Sequence, residues 1–332
     1  MRYRVTLIEG DGIGPEVTGA TCRVLDAAGA PIEWEKVPAG AAAYQEYGNP
    51  LPDAVIESVR RNRVGLKGPL TTVKGKGYKS ANVQLRQRLQ LYTGWRPVQS
   101  LPGVRTRYRD VDLVVLRENT QGLYAGIEHE VTPGTIVSLK VSSADAGERI
   151  ARWAFEHACA VGRRRITVCH KMRVIPKSDG AFVEAFYRVG ERYPFIEQED
   201  RPLDEVSMTL ATDPSAFDVI LLPNLYGDII SDLCAGLVGG LGVVPGANVG
   251  DRVAVFEAVH GTAPDIAGRG LANPLALLLS GTLMLDWMGE RTIAERVRRA
   301  VWDVLEAGKN LTGDLGGSAS TDTFTDALID AL

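Results

Sequence analysis

Two aspartates four residues apart, Asp228 and Asp232 in PNLYGDIISDL (223–233), are the first residues whose spacing suggests chemistry. On a helix that spacing puts both carboxylates on one face. They follow an apolar run ending in Pro-Asn, so they sit at the C-terminal edge of a strand, where α/β sites form. Paired carboxylates repel unless a cation lies between them, and oxygen donors with open positions suit Mg²⁺ or Mn²⁺. The plain alternative is a pair of solvated helix charges. A second group lies in YKSANVQLRQRLQLYTGWRP (78–97). There Leu85, Leu89 and Leu91 can pack, whereas Ser80, Asn82, Arg86 and Arg96 need polar partners. An anion with several oxygens supplies them. Arg117 and Tyr124 in RENTQGLYAGIEH (117–129) follow the run VDLVVL, and Lys171 follows RITVC in the same way.

The loop FEAVHGTAPDIAGRGLANP (256–274) carries small or hydrogen-bonding residues, His260, Gly261, Thr262 and Ala263, that let a ligand approach the backbone. Asp265 can accept hydrogen bonds from a ribose diol and would repel a 2′-phosphate. The alternative is a capping loop with Asn273 as the N-cap of a following helix. GDGIGPE (10–16) is spaced G-x-G-x-G rather than G-x-G-x-x-G, and Pro15 stands where a helix begins. A tight strand-to-helix turn explains it without phosphate binding.

These residues need elements to hold them. Apolar runs at 5–8, 111–116, 165–169, 217–223 and 253–257 read as strands. Helical periodicity recurs at 13–28, 80–91, 144–161, 179–192, 273–288 and 293–307. The alternation predicts an α/β protein with a largely parallel sheet covered on both faces. Residues 125–143 alternate around a Pro-Gly turn, the pattern of a projecting hairpin. GWRPVQSLP (94–102) and GLVGGLGVVPG (236–246) are the expected crossings between domains.

With 332 residues the chain is long enough for two domains. Its net charge of −4 gives no general field for nucleic acid or anionic membrane, so any anion site must be a local cluster. Arg163–Arg165 reads as a solvated helix end. Cys22, Cys159, Cys169 and Cys234 form no C-x-x-C pair, which argues against zinc and for reduced thiols in the cytosol. The opening MRYRVTLIEGDG lacks a signal-peptide core, and LALLLSGTLML near residue 280 is too short and interrupted to cross a bilayer.

Taken together, VTLIEGDGIGPE, KSANVQLRQRL, NLYGDIISDLCAGLVGGLG and FEAVHGTAPDIAG resemble the β-decarboxylating dehydrogenases, the isocitrate/isopropylmalate dehydrogenase family, over nearly the whole chain. KSANVQLRQRL resembles the isocitrate enzymes and HGTAPDIAG the NAD-dependent ones. The resemblance implies an α/β two-domain fold distinct from the Rossmann fold. Residues 1–98 with 239–332 would form a large cofactor-binding domain, and 99–238 a small central domain with a dimerisation arm at about 125–143. It implies a homodimer with shared active sites acting on a small tricarboxylate-like substrate, with no nucleic-acid or membrane partner. It implies Mg²⁺ or Mn²⁺ on Asp228 and Asp232, joined by Asp204 from the other protomer. It assigns Tyr124 as general acid, and Lys171, also from the other protomer, to removal of the hydroxyl proton. Ser80, Asn82, Arg86, Arg96 and Arg117 would hold the substrate carboxylates. Thr72, His260, Gly261, Thr262, Ala263, Asp265, Ile266 and Asn273 would bind NAD, the Asp265-Ile266 pair matching the NAD enzymes. The implied reaction is oxidation of isocitrate to 2-oxoglutarate and CO₂. Isopropylmalate, which needs an apolar pocket at Ser80 and Asn82, is disfavoured. Homoisocitrate, tartrate and phosphonate-bearing analogues are alternatives, as is a non-catalytic regulatory subunit.

Four departures from the pattern stand out. Val73 replaces a proline in T-T-V, Gly94 and Trp95 replace the usual pair before Arg-Pro, and Glu9 replaces a frequent proline. Most consequential, HKAN reads HKMR, so Met172 and Arg173 occupy the place of an asparagine near substrate and nicotinamide. A cationic Arg173 favours a more anionic distal group, such as a phosphonate, unless it turns aside to pair with an acid.

Overall fold

A computed structural model describes residues 2–71 and 80–332. Among them are twelve strands: β1 (Tyr3–Ile8), β2 (Ile32–Lys36), β3 (Val64–Lys67), β4 (Thr93–Gln99), β5 (Asp112–Glu118), β6 (Gly122–Thr132), β7 (Thr135–Val141), β8 (Arg165–His170), β9 (Glu197–Pro202), β10 (Val219–Leu222), β11 (Pro245–Val249) and β12 (Ala254–Ala258). Ten form one sheet in the order β2-β1-β3-β12-β11-β4-β5-β10-β8-β9. The expected parallel pairing holds on both flanks. The centre departs from it, because β11 and β4 run antiparallel to their neighbours. The expected crossing GWRPVQSLP is therefore strand for most of its length, with Pro97 inside it. β6 and β7 make the predicted hairpin as a separate two-stranded sheet. Its apolar side chains are exposed, Val131 at 57% and Ile136 at 67%, which leaves the hairpin without cover in a single chain.

Helices lie where apolar periodicity placed them, with shifted ends. The 144–161 helix matches its expected span as Ala144–Val161, its Ser143 side chain accepting from the Ala146 amide. The 80–91 helix is shorter, Ala81–Arg88, and Leu85, Leu89 and Leu91 bury beneath it as the stripe predicted. The helix expected from Asn273 begins two residues later, at Leu275, with Pro274 at the cap position. Asn273 still serves that end, since its Oδ1 accepts from the Leu275 amide at 2.9 Å. This helix, Leu275–Met288, is apolar all round and buried. Its Ser280 hydroxyl reaches the Glu257 carbonyl at 3.0 Å and so fastens it to the sheet. Among the described residues no helix is long and apolar enough to cross a membrane.

The GDGIG segment is a tight turn, as its spacing suggested. Gly10 and Gly12 have φ of +81° and +61°, and Pro15 opens the helix Gly14–Ala27. The 163–165 run is not a solvated helix end: Arg163 follows the Gly162 cap and pairs with Asp112 and with Asp218 at 3.0 Å, and Arg165 opens β8 and donates to the Ala216 carbonyl.

Candidate active site

The C-terminal ends of β5 and β10 and the helix Asn224–Leu237 converge on one cluster. Arg117, 1% exposed at the end of β5, directs Nε and Nη2 at Asn224 Oδ1, at 3.0 and 2.8 Å, and Nη1 at Asp228. Tyr124 donates its hydroxyl to the other oxygen of Asp228 and lies under the Arg117 guanidinium at 4.9 Å. The fit needs Gly227: a Cβ there would meet Arg117 Cγ at 2.6 Å. On β4, Arg96 donates to Ser231 and sits 3.5 Å from Asp232. On the helix Ala81–Arg88, Arg86 pairs with Glu257 at 2.9 Å. Glu257 also holds the buried Lys67 at 2.6 Å and accepts from Asn248 at 2.6 Å.

Charge neighbours place these groups together. Burial, then the Arg117 and Arg86 charges, lower the Arg96 guanidinium to about 10, so the three guanidiniums share one basin. Burial alone would raise the Asp228 carboxyl, but Arg117, the Tyr124 hydroxyl, Arg96 and Arg86 hold it below the usual range. Asp232 is pushed up, first by burial and then by Asp228, against the pull of Arg96. Burial and then Asp228 raise the Tyr124 phenol, so it stays protonated at neutral pH.

Lys171, Asp204 and Arg173 belong to a different group. Lys171 Nζ donates to Asp204 at 2.6 Å, and its amide donates to the buried Asp179 at 2.7 Å. Its carbonyl accepts from the Val174 and Ile175 amides, which curls 171–175 into a turn. Asp204 does not join Asp228 and Asp232: among the described residues no three metal-ligating side chains gather. Arg173 is exposed and makes no ion pair with a described carboxylate.

The 256–274 loop borders a cavity of about 630 Å³ lined by His260, Gly261, Ala263, Ile266 and Asn273. Thr262 and Asp265 are not among its lining residues; the Thr262 carbonyl accepts from the Ile13 amide at 2.9 Å, and Asp265 is exposed. Asn273 Nδ2 donates to Asp314 at 2.9 Å. His260 Nε2 is buried with no partner among the described residues, a donor or acceptor left for a ligand. Thr72 lies outside the described residues, while Ser80 stands at the cap of the Ala81–Arg88 helix and Asn82 in its first turn.

The chain matches the isocitrate/isopropylmalate dehydrogenase family over residues 4–330. It belongs to that family. Isocitrate dehydrogenase [NAD] catalytic subunit 5, mitochondrial, of Arabidopsis thaliana is 50% identical over 98% of this chain and 88% of its own length. A mitochondrial regulatory subunit of isocitrate dehydrogenase [NAD] from Dictyostelium discoideum is 48% identical over 98% of this chain and 91% of its own length. The crystal structure of isocitrate dehydrogenase from Methylococcus capsulatus superposes with a TM-score of 0.96 at 45% identity, covering 100% of this chain and 99% of that one. Family membership confirms the α/β architecture, with its separate hairpin, that the resemblance implied. It also makes the chain a β-decarboxylating dehydrogenase by descent.

The cytosolic expectation is overturned by the Arabidopsis and Dictyostelium relatives, both of which are named as mitochondrial. Free thiols mark a reducing environment and do not say which compartment supplies it. Two charged residues that pair with this cluster were not singled out by sequence: Lys67 and Glu257. Glu257 was visible as the only charge in FEAVHG, and a lone acid inside a strand ending at a site is the signal that marks it.

Proposed function

We propose that the chain oxidises and decarboxylates isocitrate to 2-oxoglutarate and CO₂ with NAD as hydride acceptor. The observation that carries this reading is the basin of Arg86, Arg96 and Arg117 beside Asp228 and Tyr124. It offers forked donors for several carboxylates next to a proton donor and a carboxylate pair. The relatives' names as NAD isocitrate dehydrogenases support it.

In this reading Arg86, Arg96 and Arg117 hold the carboxylates nearest the reacting carbons. Ser80 and Asn82 take the distal acid at a helix start, where backbone amides favour anions. Asn82 Oδ1 is buried without a partner among the described residues, which suits a site completed by a ligand. The NAD site in this reading is the cavity at His260, Gly261, Ala263, Ile266 and Asn273, with Thr262 next in the same loop and Thr72 assigned by the family resemblance alone. Asp265 serves the ribose.

Asp228 and Asp232 fit a divalent cation. Each oxygen of Asp228 has a lone pair beyond its bond to Arg117 or Tyr124. A dication would also offset the burial and then the Asp228 charge that push Asp232 up. Asp204 of a second copy completes the oxygen set. Mg²⁺ or Mn²⁺ there would supply polarisation of the substrate hydroxyl and of the ketone it becomes. Lys171 of the second copy takes the hydroxyl proton as the hydride leaves C2. The bond from C3 to its carboxylate then breaks. Tyr124, protonated at neutral pH, delivers a proton to C3.

The separation of the Lys171–Asp204 pair from Asp228 and the uncovered hairpin support a second copy. We read 1–98 with 239–332 as the cofactor-binding domain and 99–238 as the central one, its arm at about 125–143 reaching the partner. A regulatory role is disfavoured because Tyr124, Lys171, Asp204, Asp228 and Asp232 are all present.

The purified chain alone, given isocitrate, NAD and Mn²⁺, is expected to form NADH. Asp228→Asn is expected to lower metal-dependent turnover at least ~100-fold. Activity retained by that variant would refute the metal assignment. No activity alone, restored by a different chain, would favour the regulatory role.

A further inference from the structure

On the turn that carries Lys171 stands one arginine, Arg173, that shares no carboxylate with any other group among the described residues. Among the described residues each other candidate substrate cation has a carboxylate. Arg117 has Asp228, Arg96 faces Asp232, Arg86 shares Glu257 with Lys67, and Lys171 has Asp204. Arg173 has none. It stands on the turn that Lys171 begins, held by the Val174 and Ile175 amides, so it travels with Lys171. The Asp204 carboxyl feels its charge but spends its hydrogen bond on Lys171.

We propose that Arg173 is a specificity residue for a 2-hydroxy-3-carboxy acid whose distal group is a phosphonate rather than a carboxylate. This rests on the reading that Lys171 acts at the substrate, and it makes isocitrate the weaker of two substrates of the same proposed reaction. The carboxylates at the reacting carbons already have Arg86, Arg96 and Arg117. An added guanidinium is matched only by added negative charge on the remaining group. A phosphonate near neutral pH carries more charge than a carboxylate and offers three oxygens to a forked donor. Ser80 and Asn82 are polar enough for either group. The chemistry is unchanged. The C2 hydride passes to NAD⁺, the hydroxyl proton to Lys171, the C3 carboxylate leaves as CO₂, and the electron pair left at C3 takes a proton from Tyr124. The carbon–phosphorus bond stays intact.

The test compares isocitrate with 2-hydroxy-3-(phosphonomethyl)succinate, its analogue with the distal carboxylate replaced. Wild-type protein is expected to turn over the phosphonate with kcat/KM at least ~10-fold above isocitrate. Arg173→Asn is expected to shift the ratio of the two kcat/KM values at least ~10-fold toward isocitrate. In calorimetry without NAD it should weaken binding of the phosphonate more than of isocitrate. The side chain is exposed, so an unchanged melting temperature checks that the fold is intact. Preference of the wild type for isocitrate, an unmoved ratio in the variant, or an effect confined to KM for NAD overturns the proposal. NADH from neither substrate, with metal present, overturns the dehydrogenase reading beneath it.

Discussion

Glu257 is the residue on which the proposed carboxylate basin rests. Its side chain, 7% exposed, bridges Lys67 at 2.6 Å and Arg86 at 2.9 Å. Burial by itself would raise its carboxyl, but Lys67 and then Arg86 hold it far below the usual range. Removing the charge leaves Lys67 buried and uncompensated and frees the Arg86 fork. Glu257→Gln is therefore expected to cost about 3–5 kcal/mol in urea unfolding and to raise KM for isocitrate by about tenfold. A loss of stability with unchanged KM would mean that Glu257 supports the fold and does not position Arg86. The residue types of the basin were legible in sequence, because Arg86 and Arg96 lie among leucines that can pack while they need polar partners, and Arg117 and Asp228 follow apolar runs. Their pairings were not. Arg86 and Glu257 lie 171 residues apart, and nothing local to either names the other. Arg173 was legible only as a departure from pattern, and its lack of an acid partner needed coordinates.

At the scale of elements, periodicity found the strands that are apolar throughout and the helices with one buried face. It missed β4, whose Gly94 and Pro97 read as a linker. In the fold Pro97 is tolerated because β11 pairs only with Thr93–Trp95, so Pro97 lies beyond that ladder and faces β5 alone, while a Cβ at Gly94 would meet Asn119 Oδ1 at 2.9 Å. Arg96 turns to Ser231, while the next-door Trp95 turns to the helix Ala144–Val161. There His157 meets the edge of Trp95 at 4.8 Å and stacks on Trp153 at 4.8 Å. Burial, then the Arg163 charge, lowers the imidazole from 6.5 to about 4. The unfolded chain binds this proton near pH 6.5 and the folded chain only near 4. Stability from the neutral ring is thus complete above pH 6.5 and is lost as the pH falls through 4. At 1.36 kcal/mol per unit the loss is at most about 3 kcal/mol. His157→Phe keeps the ring stacking and removes the titration. Unfolding free energies from urea titrations at pH 7.5 and 4.5 should fall less in the variant than in wild type by up to that amount, while equal falls would show that His157 is solvated in solution.

For the molecule as a whole, the question is why one chain holds the parts of the proposed site in two places. Arg117, Tyr124 and Asp228 interlock, and Lys171 binds Asp204 apart from them. A single copy cannot bring the groups together without breaking the sheet, because Lys171 follows β8 and the turn after it is anchored on the buried Asp179. Two copies related by a two-fold axis can, since each then lends its Lys171 and Asp204 to the other. The exposed hairpin offers apolar surface for such a contact. This arrangement predicts rescue between dead variants. Lys171→Met and Asp228→Asn should each be inactive alone. In a hybrid dimer one site carries both defects and the other carries neither. Random pairing on co-expression makes half the dimers hybrid, and half the sites in those are intact, so about a quarter of wild-type activity should return. A site contained in one chain allows no such rescue, so co-expressed variants without activity, shown to have mixed by a tag on one of them, would refute the shared site. Activity that returns and then scales with the hybrid fraction would place Lys171 of one copy against Asp228 of the other, a contact that no feature of a single sequence can display.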